Sequence, residues 1–364
     1  MAGSNILCTD YWLGQNCVPK SGYTAGTDDS RMMNVSEILQ KYQVTIATNS
    51  IPSRCPIQTE VNVTPKATIW TSYSAPYGLN LKCVAYGNGI WVAFPFDSSG
   101  GYVYSYDGIT WSYKSCGWGY VSDVTFGNGW FMISYLTTST GAPKSARSSD
   151  GLNWWNPGYV ITSNSGYIEH IEFLNGAFLG CMEAGNVNSR TLDGLANWST
   201  NSGGNQGFTD TAYYNGKYIR VGLNAAQFKS STDGINWSAL QDNMYLKANY
   251  RGIAYGTGSA NLWVAVAANS GSYYPAAVII SGNGTSWAKL SDYSIKQGNW
   301  TGIRYGNGVF VMIGAAGSGF PTIRNSVDGL WWNDVSTANG YNDVAYGNNV
   351  WIAVGNNVIS RADG

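Results

Sequence analysis

Apolar and aromatic runs flanking an Asn-Gly or glycine-rich pair recur seven times along the chain. They are "VAYGNGIWVAF" (84–94), "VTFGNGWFMIS" (124–134), "IEFLNGAFLGC" (171–181), "TAYYNGKYIRV" (211–221), "IAYGTGSANLWVAV" (253–266), "IRYGNGVFVMIG" (303–314) and "VAYGNNVWIAVG" (344–355). Each predicts a β-hairpin, because a two-residue hairpin turn needs positive φ at both central positions, which Asn and Gly tolerate.

A second phrase follows each hairpin except the last: "SYDGITW" (105–111), "SSDGLNW" (148–154), "TLDGLANW" (191–198), "STDGINW" (231–237), "SGNGTSW" (281–287) and "SVDGLWW" (326–332). Asp-Gly suits another tight turn, with the carboxylate accepting the turn's own amides, and the Trp anchors the outgoing strand in an apolar layer. The seventh copy is split. The chain stops on "SRADG" (360–364), and the missing Trp is Trp70 in "KATIWTSY" (66–73). From Trp70 the anchors fall at 70, 111, 154, 198, 237, 287 and 332, a period of about 40–50 residues. Four short strands per repeat, seven repeats and an N-terminal strand completing the last sheet predict an all-β, seven-bladed β-propeller over residues 65–364, closed without exposed edges. Residues 1–64 share none of these phrases and form an N-terminal extension with one expected short helix, "NVSEILQKYQ" (34–43), capped by Ser36.

With strands a to d numbered from the axis outward, the a–b and c–d turns share one face of the disc, which reads as scaffold. The b–c loops and d–a crossings share the other, vary in length, and are rich in Tyr, Trp, Asn, Ser and Gly, the composition of adaptable recognition surfaces. Just before strand a, nearest the axis, stand Cys83, Asp123, His170, Asp210, Gly252, Gly302 and Asp343. Slightly upstream lie Leu81, Val121, Ile168, Phe208, Tyr250, Trp300 and Tyr341. Three carboxylates, one imidazole and several aromatics around a channel mouth are the best candidate for a ligand or ion site, and Trp118, Tyr120 and Tyr167 of the crossings are added as partner-binding residues. The plainer alternative is that the aspartates cap strand starts.

Composition narrows the classes. Charged residues are 11% of the chain and the net charge is −1, so no broad attraction for nucleic acid or an anionic membrane is expected. No stretch approaches a membrane span, and the N-terminus lacks a signal peptide's basic start and apolar core. The six cysteines, Cys8, Cys17, Cys55, Cys83, Cys116 and Cys181, form no CxxC pair. Free thiols are therefore expected rather than a zinc site. No cofactor is indicated.

The phrase Ser-x-Asp-Gly-x-x-Trp resembles the Asp-box (BNR) repeat of sialidase-type propellers over about 300 residues. It departs in spacing, since only Asp193 to Trp198 keeps that family's longer interval, and Asn283 replaces one Asp. The resemblance implies that Asp107, Asp150, Asp193, Asp233, Asp328 and Asp363 form turns opposite a functional face. It would also imply an arginine triad and a Tyr–Glu pair in an enzyme. Of Arg147, Arg190, Arg220, Arg251, Arg304, Arg324 and Arg361, only Arg251 lies clearly on the variable face, so no hydrolase is expected. The compressed repeat and Gly/Asn/Ser/Tyr bias look like propellers of bacteriophage tail and other virion-associated proteins. That likeness implies a structural, host-attachment role, synthesis in host cytoplasm, docking to other tail proteins through residues 1–64, and a host-surface protein or glycan as partner, with a lectin as the alternative.

Overall fold

The structure, a computed structural model, describes residues 67–364 apart from 139–140, 157, 163–167, 183–186, 195–197, 203–206, 224–227, 241–247, 259, 269–276, 291–297, 318–320 and 336–338. By contacts the chain divides into Met1–Pro65 and Lys66–Gly364. The helix expected at 34–43, Cys8, Cys17, Cys55 and Tyr167 lie outside the described residues.

Lys66–Gly364 is a seven-bladed β-propeller. Blade 1 runs from the axis outward as Leu81–Gly87, Ile90–Pro95, Gly101–Ser105 and Ser112–Ser115. Blades 2 to 7 begin with inner strands Val121–Gly127, Ile168–Leu174, Phe208–Tyr214, Asn249–Gly256, Trp300–Gly306 and Tyr341–Gly347. These inner strands contact one another in sequence, and the last contacts the first. Blade 7 is completed by Thr71–Ser74, which pairs antiparallel with Val358–Asp363 in the register Ser72 to Ser360.

The split turn differs from expectation in two details, the first being that the Asp363 carboxylate pairs with Arg361 Nη2 at 2.7 Å instead of accepting turn amides. The glycine three residues before the anchoring Trp has a positive φ at Gly234 (76°) and Gly329 (72°), and in these two turns its carbonyl accepts the indole N–H. Before Trp70 that place is held by Ala67, with φ 53° and a 2.9 Å bond from Trp70 Nε1. Gly364 instead donates its amide to Asn349 O.

Blade 2 also departs from the four-strand expectation: it has three regular strands. Outside Lys144–Ser148, the fourth is reduced to isolated bridges from Arg147 to Trp155 and Lys144 to Val160. Between them Asn156 Oδ1 accepts the Gly158 amide at 2.9 Å, a local turn that interrupts the ladder.

Middle strands are sandwiched between neighbouring blades on both faces, so Ile90–Pro95, Ala177–Met182, Val309–Gly314 and Val350–Gly355 are buried throughout. A buried apolar cluster lies at each of the seven interfaces; that between blades 7 and 1 includes Leu81, Val84, Trp91, Ile352 and Ile359. The a–b turns have the expected positive φ pair, as at Asn88 (46°) and Gly89 (84°). Asn88 Nδ2 donates to Gly129 O and Ser149 O of blade 2, which places both turn types on one face.

Candidate functional site

Every inner strand carries a β-bulge at the same place. In blade 1 Leu81 pairs with Pro95 but Cys83 with Phe94, so Lys82 has no partner of its own. The same skip occurs in blades 2 to 7. The extra residues are Lys82, Ser122, Glu169, Thr209, Arg251, Thr301 and Asn342, and all seven line one cavity of about 240 Å³ on the channel axis, at the loop face. Asp123, His170, Asp210, Gly302, Asp343 and Arg304 line it with them.

The bulge also corrects the expected aromatic ring. On a regular strand residues two apart share a face, but an extra residue reverses the facing of the rest of the strand. Tyr341 therefore packs with Val344 between blades 6 and 7, while Asp343 reaches toward blade 1. Phe208, Tyr250, Trp300 and Tyr341 are 0–3% exposed and belong to the interiors between blades, not to the mouth. Trp118 is half-buried against Tyr135 and Trp154, with ring centroids 5.7 and 5.9 Å apart. Tyr120 holds positive φ (53°), donates its amide to Asp97 O, and sets its ring edge-on to Phe96. Of the residues proposed from sequence, the structure brings Asp123, His170, Asp210 and Asp343 to the cavity.

The three aspartates staple blades together. Each gives one carboxylate oxygen to the following amide of its own strand and the other to the equivalent amide of the next blade. Asp123 accepts from Val124 and Ile171 (both 2.8 Å), Asp210 from Thr211 and Ile253 (2.8 and 2.9 Å), and Asp343 from Val344 and Val84 (2.8 and 2.9 Å). These bonds give inner-strand amides an acceptor beyond their own hairpin. At Gly252 no side chain fits, because a Cβ would stand 2.8 Å from the Ile303 nitrogen of blade 6. Three bulged residues add a second staple to the next blade's carbonyls: Thr209 to Tyr250 O, Thr301 to Tyr341 O and Asn342 to Leu81 O, at 2.7–2.8 Å.

His170 sits at the centre of the charge. Nδ1 is 3.0 Å from Asp123 Oδ2, and Nε2 lies 2.8 Å from Glu172 Oε2 and 2.9 Å from Asp210 Oδ1. Burial opposes the imidazolium, but Asp210, Asp123 and Glu172 outweigh it and hold the pKa well above the ordinary value. Arg304 crosses from blade 6 to Asp210 Oδ2 at 3.0 Å. Burial raises Asp210, yet Arg304 and His170 prevail and keep it ionised. Asp343 goes the other way: burial first, with Asp123 adding to it against the pull of Arg304, lifts its carboxyl to about 6. Lys82 pairs with Glu169 at 3.3 Å across the mouth. Burial pushes the thiol of Cys83 well up, and Cys83, Cys116 and Cys181 are free thiols.

Of the bulged residues sequence reasoning placed only Arg251 on this face, because the bulge falls between the two positions it singled out in each blade, and it missed Glu172 and Arg304. Both follow their ring position by two, His170 to Glu172 and Gly302 to Arg304, and so share its face. That spacing was the available signal. Arg304 joins Arg251 at the cavity, which corrects the reading that Arg251 alone lies on that side.

No protein-family model matches the chain, and no curated protein matches it. Solved structures of similar fold include YCF48 bound to D1 peptide (14% identical, TM-score 0.60, covering 81% of this chain and 97% of that one). They also include virginiamycin B lyase from Staphylococcus aureus (10%, 0.60, 81% and 99%) and the WD40 β-propeller domain of Doa1 (9%, 0.59, 82% and 96%). At such identities the likeness concerns the fold.

Proposed function

We propose that the chain is a non-enzymatic recognition protein that receives an extended segment of a partner protein at the channel mouth. The observation that carries this reading is the axial cavity to which every blade contributes its bulged side chain, presenting Lys82, Glu169 and Arg251 beside neutral hydrogen-bonding groups. Such a mixture recognises backbone and polar side chains of a peptide. Binding rather than catalysis is supported by the aspartates, each of which accepts backbone amides of two blades and so serves the scaffold as well as the cavity. A protein of the same fold, YCF48, was solved bound to D1 peptide, and the present chain is proposed to bind a peptide too.

The setting proposed is a virion, as a bacteriophage tail protein with Asp-box-like turns as its scaffold. Residues 1–64 dock the ring to neighbouring tail proteins, and the loop face meets the host surface. The chain is made in host cytoplasm, without nucleic acid or membrane insertion as part of its role. Peptide and glycan arrays probed with the full chain test the mouth. Peptide binding weakened at least tenfold by Arg251→Glu is expected, whereas glycan binding alone, or binding indifferent to that change, overturns it. Particle sedimentation tests the setting: the full chain should co-sediment with virions and a chain starting at residue 65 should not. Equal co-sedimentation removes the docking role of residues 1–64.

A further inference from the structure

The Nε2 atom of His170 carries at most one hydrogen yet faces two carboxylate oxygens, Glu172 Oε2 at 2.8 Å and Asp210 Oδ1 at 2.9 Å. The three atoms lie within 4.8 Å of one another. Metal bonds of about 2.0–2.2 Å place neighbouring ligand atoms roughly 3.0–3.4 Å apart, so a small outward adjustment would seat an ion among them. We propose that His170 Nε2, Glu172 Oε2 and Asp210 Oδ1 bind one first-row divalent cation, with its remaining coordination open to the axial cavity.

Four observations converge. The imidazole is oriented from behind by Asp123 at Nδ1, the arrangement that fixes the tautomer of a metal-ligating histidine. Asp123 is itself immobilised by the amides of Val124 and Ile171, and the opposite oxygen of Asp210 by Ile253 and Arg304. Formal charge fits as well. Asp123, Glu172 and Asp210 bring three negative charges and Arg304 one positive, so with a neutral imidazole the remaining two match a divalent ion. Finally, His170 and Asp210 both border the cavity, which gives the ion an entry path and room for water ligands. One imidazole nitrogen with two carboxylates suits Zn²⁺ or Mn²⁺ better than Ca²⁺ or Mg²⁺, which take oxygen ligands.

The test uses the full chain, stripped with EDTA and titrated with ZnCl₂ and MnCl₂ by calorimetry. One equivalent should bind in the wild type, with at least tenfold weaker binding in Glu172→Gln and in His170→Gln. Because either variant could disturb the ring, nitrogen NMR of the wild type provides an independent reading. Zinc should leave His170 protonated at Nδ1 alone, with Nε2 shifted on metal addition. An imidazolium that keeps both ring protons in saturating zinc, no binding at millimolar metal, or unchanged binding in correctly folded variants would each overturn the proposal.

Discussion

On the turn face, Asp107 folds back on its own turn: Oδ1 accepts the amides of Ile109 and Thr110 at 2.8 and 2.7 Å and the Ser105 hydroxyl at 2.9 Å. At the channel mouth, Asp343 also accepts two amides, but one belongs to Val84, 259 residues away in another blade. The first carboxylate is solvated, and its amides, those of Thr110 and Ile109 foremost, draw its pKa down to about 2. Burial lifts the second to about 6 despite its hydrogen bonds. Similar acceptors thus yield opposite acidities, because desolvation decides the outcome when amides are equal in number. One aspartate shapes a single turn, and the other joins two blades.

The contrast should be widest in stability. Asp343→Ala leaves two buried amides without acceptors and is expected to cost about 2–4 kcal/mol, against about 1 kcal/mol for Asp233→Ala in a solvated turn. Urea melts of the two variants measure the difference, and equal losses would erase the distinction between faces. Acidity sharpens it next. Asp107, lowered on folding from 3.8 to about 2, contributes stability that is complete above 3.8 and lost as pH falls toward 2. Asp343, raised to about 6, contributes stability complete below 3.8 and lost as pH rises through 6. Carbon NMR of the two carboxyls should give midpoints on opposite sides of 3.8. The smallest effect is expected at Asn283, whose Oδ1 accepts Thr285 and Ser286 amides at 2.9 Å just as the turn aspartates do. Asn283→Asp should change stability by no more than about 0.5 kcal/mol, read by thermal melts.

These two regions also differ in how far the sequence betrays them. The turn phrases bond over two or three residues, so Ser105, Asp107 and Gly108 spell their own geometry. The circular seam was likewise readable, since Trp70 and Asp363 are halves of one phrase. At the mouth, the polar ring of Asp123, His170, Asp210 and Asp343 and the capping role of its aspartates were legible, but the aromatic ring was not. A bulge adds one residue without any mark in composition: Tyr341 and Asp343, which alternation would put together, point into different interfaces. Phe208, Tyr250 and Trp300 were misplaced for the same reason. Arg304 was not placed on the variable face because its carboxylate partner, Asp210, lies 94 positions earlier. Ala67 escaped notice because alanine seldom takes the positive φ it adopts there.

The seam has a bearing on biosynthesis. Ser72 meets Ser360 hydroxyl to hydroxyl at 2.8 Å across 288 residues. At a translation rate of about 5–20 residues per second, the outermost strand of blade 7 waits roughly 15–60 s for its mate to leave the ribosome. Throughout that interval Trp70 lacks the sheet it will cover, and the nascent chain must be kept from pairing elsewhere. The ring is locked by bonds between segments whose synthesis is separated by 288 residues.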